Sequence, residues 1–452
     1  MSSIAALVAA VLVGCSGPDS PLPRFEDGHR PNVLIVLADV LRRDHLGVYG
    51  YGLPTSPHID AFAAEGFRFE QMYSHSTWTK PSVATLFTSV YPDQHGLGRV
   101  GFEDDAGFHT DVLPDNLDTL AEVFQAAGYR TGSVGANVHI QEKTGFGQGF
   151  DGFWMKRLVW GRALNAQLQK WLDQDLELEQ PFFAYLHYMD AHWPYEQWVR
   201  GDTRVFGPLE YKRRPPETWT AVPAWAREHL DADALKVLTA RYDREISYVD
   251  TAFGEMMANL EERGIQDDTI VVFVADHGEG LYEHERLQHS FAPYPEVTSV
   301  PLIVRLPPAY EVAPGTSSSI VGLVDVMPTV LELVGLEVPQ QVQGRSLTPL
   351  MLGERLREKP VYMDGEGVRA MRSSRFTVFL DQDDQHTCYD RTKDPKELVP
   401  LADPAEECLR MASVLTSLVR GFESQAGGVA SGATVELDAE EIEELKALGY
   451  LD

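Results

Sequence analysis

Basic residues are scarce in this chain, cysteines scarcer still, and no apolar run is long enough to cross a bilayer. Lys and Arg number 38 against 68 Asp and Glu, a formal charge of −30 over 452 residues. That balance excludes nucleic acid as a partner, because a phosphate backbone needs a basic footprint. It favours solubility and says little about substrate. The basic spots that remain, Arg42-Arg43 and Lys212-Arg213-Arg214, read as solvated surface. With only Cys15, Cys388 and Cys408, and no Cys-x-x-Cys spacing, a thiolate metal site or a dithiol redox motif is excluded. No internal repeat is present.

The N-terminal apolar run, Ile4 to Val13, falls well short of the roughly 20 residues of a spanning helix. It ends in Leu12-Val13-Gly14-Cys15 and gives way to the polar Ser16-Gly17-Pro18-Asp19-Ser20-Pro21. That is the form of a bacterial lipoprotein signal, although the usual Lys or Arg ahead of the apolar core is missing. Residues 1–15 are therefore expected to be a signal segment and 16–30 a tether. The expected location is outside the cytoplasm, lipid-anchored in the bacterial cell envelope through Cys15, the only membrane contact; a plain cleaved signal peptide is the alternative. Cys388 and Cys408 either pair in that oxidising compartment or stay free thiols.

What is present is the composition of a globular enzyme-sized chain, 44% hydrophobic and 23% charged. Its length suits one large domain, 31–338, and a smaller one, 339–452. Three apolar runs end in groups that bind metals or protons. Asn32 to Ala38 ends at Asp39; Phe182 to Leu186 leads to His187, Asp190 and His192; Thr269 to Ala275 ends at Asp276-His277. Continuous apolar runs are strands buried on both faces, and chemistry outside their carboxyl ends is the habit of an open parallel sheet. Helical patterns at Leu117–Ala127 and Tyr242–Arg263, each stopped by a glycine, complete an α/β alternation. Beyond residue 340 shorter strand patterns (Val361–Met363, Phe376–Leu380) precede helical Cys408–Phe422 and a terminal helix at Asp438–Leu448.

Ser76-Thr77-Trp78-Thr79-Lys80-Pro81-Ser82 places a hydroxyl at the start of a helix, with Pro81 suited to its first turn. Taken singly, Asp39 and Thr79 are also ordinary helix-capping types. Together with Asp276 and His277 they form a set of two carboxylates, one imidazole and one hydroxyl that suits a divalent cation.

The chain resembles the sulfatase family of the alkaline phosphatase superfamily. The likeness is carried by Pro31 through Asp39, Asp44-His45-Leu46-Gly47, Thr55-Ser56-Pro57-His58-Ile59-Asp60 and Leu86 through Gly96. It continues in Gly128-Tyr129-Arg130-Thr131, His187 through Tyr195, Asp276-His277-Gly278-Glu279-Gly280, Asp325 through Thr329, Gly344-Arg345-Ser346-Leu347 and Leu445 through Tyr450. It implies an alkaline phosphatase-like α/β fold, a large mostly parallel sheet flanked by helices, with a smaller C-terminal α+β subdomain. It also implies one divalent metal ion held by Asp39, Thr79, Asp276 and His277, with Mg²⁺, Mn²⁺, Ca²⁺ and Zn²⁺ left undistinguished. Thr79 falls at the nucleophile position. The implied substrate is a small-molecule, glycan or lipid-headgroup ester; no oligomeric state follows.

Departures from the family pattern are as informative. Sulfatases carry Cys or Ser where this chain has Thr79, and oxidise it to formylglycine; conversion of a Thr is not expected. Val83 stands at the motif arginine, Asn137 at a lysine, His289 at a later lysine, and Val40 at an acidic ligand. An unmodified Thr is similar to the phosphoryl-transferring branches, so a phosphate or phosphonate ester is favoured. A sulfate-ester hydrolase is the alternative, and a lapsed, non-catalytic binding lipoprotein a third. His192 and His289 are candidates to protonate the leaving oxygen, against ordinary structural histidines. Asn137, His187, Asp190, His284 and Lys80 are candidates for substrate contact or support. A second metal on Asp190 and His192 with His284 or His289 is the less favoured arrangement.

Overall fold

The computed structural model describes residues 30–98, 102–104, 107–157, 159–174, 180–195, 221–425 and 433–447, with residue 22 and the short pieces 206–207, 210–211 and 215–216. The signal segment with Cys15, nearly all of the tether, the basic triplet 212–214 and Leu448 to Tyr450 lie outside the described residues.

An eight-stranded sheet organises the larger part. Its strands lie, edge to edge, in the order Gly315–Gly322, Phe67–Tyr73, Leu302–Arg305, Thr269–Val274, Asn32–Ala38, Phe182–Tyr188, Arg130–Gly135 and Gly152–Met155. All pairings are parallel except those of Leu302–Arg305, which runs against both neighbours. The α/β expectation is met, and the three apolar runs form adjacent central strands. Val33 to Ala38 are fully shielded from solvent, as a parallel strand covered on both faces must be.

Register then determines what gathers at one edge. Leu37 lies level with His187 on one side and Val274 on the other, and His187 is level with Gly135. Asp39, Asp276 and Asn137 each follow two residues after these positions. All three leave the sheet at the same carboxyl edge.

Two helices differ from the sequence reading for identifiable reasons. The expected Leu117–Ala127 helix starts at Leu120, because Thr119 and Glu122 form a reciprocal capping box. The expected Tyr242–Arg263 helix starts ten residues earlier, at Ala232, where Asp231 accepts the N–H groups of Asp233 and Ala234. No helix among the described residues is long and apolar enough to cross a membrane.

Leu347, Leu350 and Met351 still pack in the main core. After them comes an antiparallel sheet of Val361–Gly365, Val368–Arg372, Phe376–Leu380 and His386–Asp390, covered by helix Glu406–Gln425. Cys388 and Cys408 join this sheet to that helix in a disulfide, with Cα atoms 6.4 Å apart. Buried Arg372 pairs with Glu397 at 2.8 Å and reaches Thr298 at 2.7 Å, tying the small sheet to the large domain. The chain's end then returns to the large domain. Thr434–Glu436 pairs with Gly107–Asp111, and Leu437 and Leu445 pack on Val138.

The disulfide spans a sequence separation of 20 residues, worth about 3 kcal/mol in the chain-entropy account. A Cys388→Ala, Cys408→Ala double variant is expected to melt at lower temperature than the oxidised protein. Circular dichroism with and without reductant measures this, and superimposable curves oppose it.

Candidate active site

Thr79 opens helix Thr79–Thr88, every residue of which is buried. The first N–H groups of a helix lack internal partners and favour an anion. The Thr79 hydroxyl lies 3.4 and 3.5 Å from the Asp39 carboxylate oxygens, 3.3 Å from His277 Nε2 and 3.4 Å from Asn137 Nδ2. Residues that follow three separate strands and one helix start therefore meet around one oxygen.

Asp39 Oδ2 accepts from Asn137 Nδ2 at 2.7 Å and from His187 Nε2 at 3.1 Å. His187 is itself oriented by Tyr185, whose hydroxyl lies 3.0 Å from Nδ1. Asp276 Oδ1 accepts from the backbone N–H of His277 at 2.9 Å and of Val40 at 3.3 Å. So Val40, where the family pattern expects an acid, contributes through its main chain. It does so with φ of 53°, a left-handed conformation that is strained for a β-branched residue.

These contacts leave a convergent set of electron pairs. Asp276 Oδ2 is buried with no hydrogen-bond partner. His277 donates Nδ1–H to the Gly278 carbonyl at 2.9 Å. Its Nε2 therefore turns a lone pair towards Asp39 Oδ1 and Asp276 Oδ2, each at 3.5 Å. A histidine whose other nitrogen is tied to a carbonyl is the usual form of a metal ligand. Among the described residues, Asp39, Asp276 and His277 are the group of three whose ligand atoms lie within 4.8 Å of one another. The residues present fit a divalent cation.

Electrostatics agree with that fit. Burial alone would raise Asp39, but its hydrogen bond to His187 and the nearby imidazoles hold it below the usual carboxylate range. Burial, and then the charge of Asp39, push Asp276 well above it. Two carboxylates this close cannot both ionise without a cation. Burial also lowers the basicity of His277, His192 and His289.

His192 and His289 stand beside this centre. Their rings are 5.1 Å apart, and His289 lies 4.5 Å from His277. The other sequence candidates are placed elsewhere. Both oxygens of Asp190 accept from the Gly161 N–H, at 2.9 and 3.1 Å. His284 is held by Glu296 at 2.6 Å and the Glu397 carbonyl at 3.1 Å, stacked on Tyr294. Asp190, His192, His284 and His289 thus do not gather around one cation. Lys80 turns away from Thr79 and donates to Thr110 Oγ1 at 2.6 Å and to the Asp111 carbonyl, since adjacent helical residues do not face the same way. Glu279 was not singled out from sequence, yet it bonds His289 at 3.0 Å.

Comparison with known proteins gives the family and the fold. Residues 31–336 match the family model described as Sulfatase, and 283–420 match that of the N-sulphoglucosamine sulphohydrolase C-terminal region. An arylsulfatase of Clostridium perfringens is 24% identical, covering 89% of this chain and 96% of the relative. An N-acetylglucosamine-6-O-sulfatase of Bacteroides thetaiotaomicron is also 24% identical, over 91% of this chain and 89% of its own. The phosphonate monoester hydrolase of Agrobacterium radiobacter superposes with a TM-score of 0.71 at 20% identity, covering 88% of this chain and 96% of that one.

Asp276→Asn and His277→Ala are each expected to lose most of the divalent metal that the unaltered protein retains, with circular dichroism unchanged. Elemental analysis reads the loss, and full retention by both removes these residues from the ligand set. A second prediction concerns Asp190, whose carboxyl burial pushes up to about 7. The folded state then binds its proton more tightly than the unfolded state, so stability falls as pH rises from the ordinary carboxylate range through about 7. Asp190→Asn escapes that penalty and should gain thermal stability relative to the unaltered protein between pH 5 and pH 8.5. A pH-independent difference in melting temperature contradicts it.

Proposed function

Since this chain belongs to the sulfatase family of ester-hydrolysing enzymes, we propose that it cleaves a phosphate or phosphonate ester through Thr79 as nucleophile. The observation that carries this reading is the setting of Thr79. Its hydroxyl lies within 3.5 Å of Asp39, His277 and Asn137 at a helix N-terminus.

The chemistry follows from these residues. Asp39 stands where it can draw the proton of Thr79, and the oxygen attacks phosphorus while Asn137 steadies both groups. Asp39, Asp276 and His277, with the Thr79 oxygen beside them, would hold a divalent ion, whose charge would lower the hydroxyl's pKa and offset the phosphoryl oxygens. The ester oxygen leaves with a proton from His289 or His192. Water then attacks phosphorus in the phosphothreonine and gives a proton back to the histidine, while the Thr79 oxygen leaves with the proton returned from Asp39. The sum is ester plus water giving alcohol plus acid.

A threonine carries one hydroxyl, so the transferred group leaves only by attack at its central atom. A formylglycine hydrate, with two, can expel the group by collapse to an aldehyde. Val83, Asn137 and His289 at family cation positions also leave fewer fixed charges for a sulfate. The second reading, sulfate-ester hydrolysis, is favoured by the relatives, which are named as sulfatases.

Purified protein from residue 20 onward, assayed on p-nitrophenyl phosphate, a phosphodiester, a phosphonate monoester and p-nitrophenyl sulfate, decides between them. Phosphorus-ester turnover is expected, falling by at least about 10³-fold in Thr79→Ala. Turnover of the sulfate alone, or full activity in Thr79→Ala, overturns the reading.

A further inference from the structure

Beyond the metal-ligand pair the chain makes a short hairpin, Gly280–Leu281 against Leu287–Gln288. Its register sets Leu281 opposite Leu287 and Gly280 opposite Gln288. The next pair outward is Glu279 and His289, and their side chains meet. Glu279 Oε1 accepts from His289 Nδ1 at 3.0 Å, and Oε2 accepts from the Tyr195 hydroxyl at 2.9 Å. Neither the Glu279 nor the His289 side chain is exposed to solvent.

The backbone around His289 is held just as firmly. Gln288 and Ser290 have φ of 72° and 66°, conformations that non-glycine residues keep only where the surroundings impose them. Ser290 N–H donates to the Thr77 carbonyl at 2.9 Å, two residues before the nucleophile. Gly280 permits the hairpin's close approach, since a Cβ there would stand 2.8 Å from Phe291 and 2.9 Å from the Arg286 carbonyl. His289 is thus tied to the nucleophile loop by its backbone and to a buried carboxylate by its ring.

A lysine presents its charge without help, whereas an imidazole has two nitrogens and a plane that must be chosen. With Nδ1–H given to Glu279, Nε2 is directed away from that carboxylate, on a ring packed between His277 and His192. We propose that Glu279, steadied by Tyr195, is a positioning residue that fixes the tautomer and plane of His289 so that Nε2 meets the leaving ester oxygen. The resting ring is the neutral Nδ1–H form, and Nε2 takes up a proton from solvent once the anionic ester lies beside it. That proton passes to the leaving oxygen as the O–P bond breaks, and the ring returns to its neutral form with Nδ1–H still on Glu279. This inference rests on the reading of the site as a Thr79 esterase and names what replaces the absent lysine.

The test compares phenyl phosphate, a poor leaving group, with p-nitrophenyl phosphate, a good one. In Glu279→Gln, kcat/KM for the phenyl ester is expected to fall about 10²-fold, and that for the p-nitrophenyl ester by less than about threefold. Adding Glu279→Gln to His289→Ala should cost almost nothing further, as coupled residues require. Equal losses on both esters, or fully additive losses, overturn the proposal. Nitrogen NMR of the ring tests the geometry without turnover. His289 is expected as the Nδ1–H form, lost in Glu279→Gln, and the opposite form in the unaltered protein overturns the proposal. A correct tautomer in a protein that hydrolyses none of the phosphorus esters counts against the esterase reading and overturns the leaving-group role built on it.

Discussion

Two carboxylates buried side by side at the end of a dry sheet form the constraint on which the rest of this structure depends. Asp39 and Asp276 sit beyond adjacent central strands because those strands are continuous apolar runs in register. Removing each carboxylate from water costs several kcal/mol unless hydrogen bonds and opposite charge replace the solvent. Asn137, His187 and the backbone N–H groups of Val40 and His277 satisfy the outward oxygens. The inward ones, with the lone pair of His277 Nε2, face a common point. A cation at that point would satisfy them all, and the Thr79 hydroxyl lies beside it.

Lys80 is the cation nearest in sequence to Thr79, yet helical geometry turns it towards the Gly107–Asp111 strand. There its ammonium supports a strand that also pairs with Thr434–Glu436 from the chain's far end. That end packs Leu437 and Leu445 against Val138, the neighbour of Asn137. Both flanks of Thr79 are therefore buttressed by the last described segment, so the C-terminal residues belong to the architecture of the site.

The parts of this molecule that were legible in its sequence are those encoded by local pattern. Asn32–Ala38 and Phe376–Leu380 have the bounds that their apolar runs imply, and a ligand type closing a buried strand is visible before any folding. Asp39, Asp276 and His277 follow from that rule. What stayed hidden depends on side-chain direction across distant turns. His284 lies close in sequence to His289, yet the hairpin between Gly280 and Gln288 sends it to Glu296 and the C-terminal sheet. Asp190 lies two residues from His192, but the Gly161 N–H occupies its carboxylate. Glu279 faces His289 only through a register maintained by left-handed Gln288 and Ser290, which no propensity would suggest.

Those left-handed residues are part of a wider pattern. Val40, Tyr282, Glu285, Gln288 and Ser290 all have positive φ without being glycine, and all lie within the site's two turns. Beside them lie Asp276 and His289, whose neutral forms burial favours. Each left-handed residue costs of order 1–3 kcal/mol, and strain of this kind persists only where surrounding structure over-determines it. The offset comes from parts with no chemistry of their own: the fully shielded strand Val33–Ala38, the Arg372–Glu397 pair and the Cys388–Cys408 link. A scaffold so arranged tolerates a changed residue at the catalytic edge better than in the central strand. On the proposed reading, Thr79 and His289 are such changes at the edge of an unchanged sheet. The fold places the chemistry, and the few side chains at its carboxyl edge decide which ester it serves.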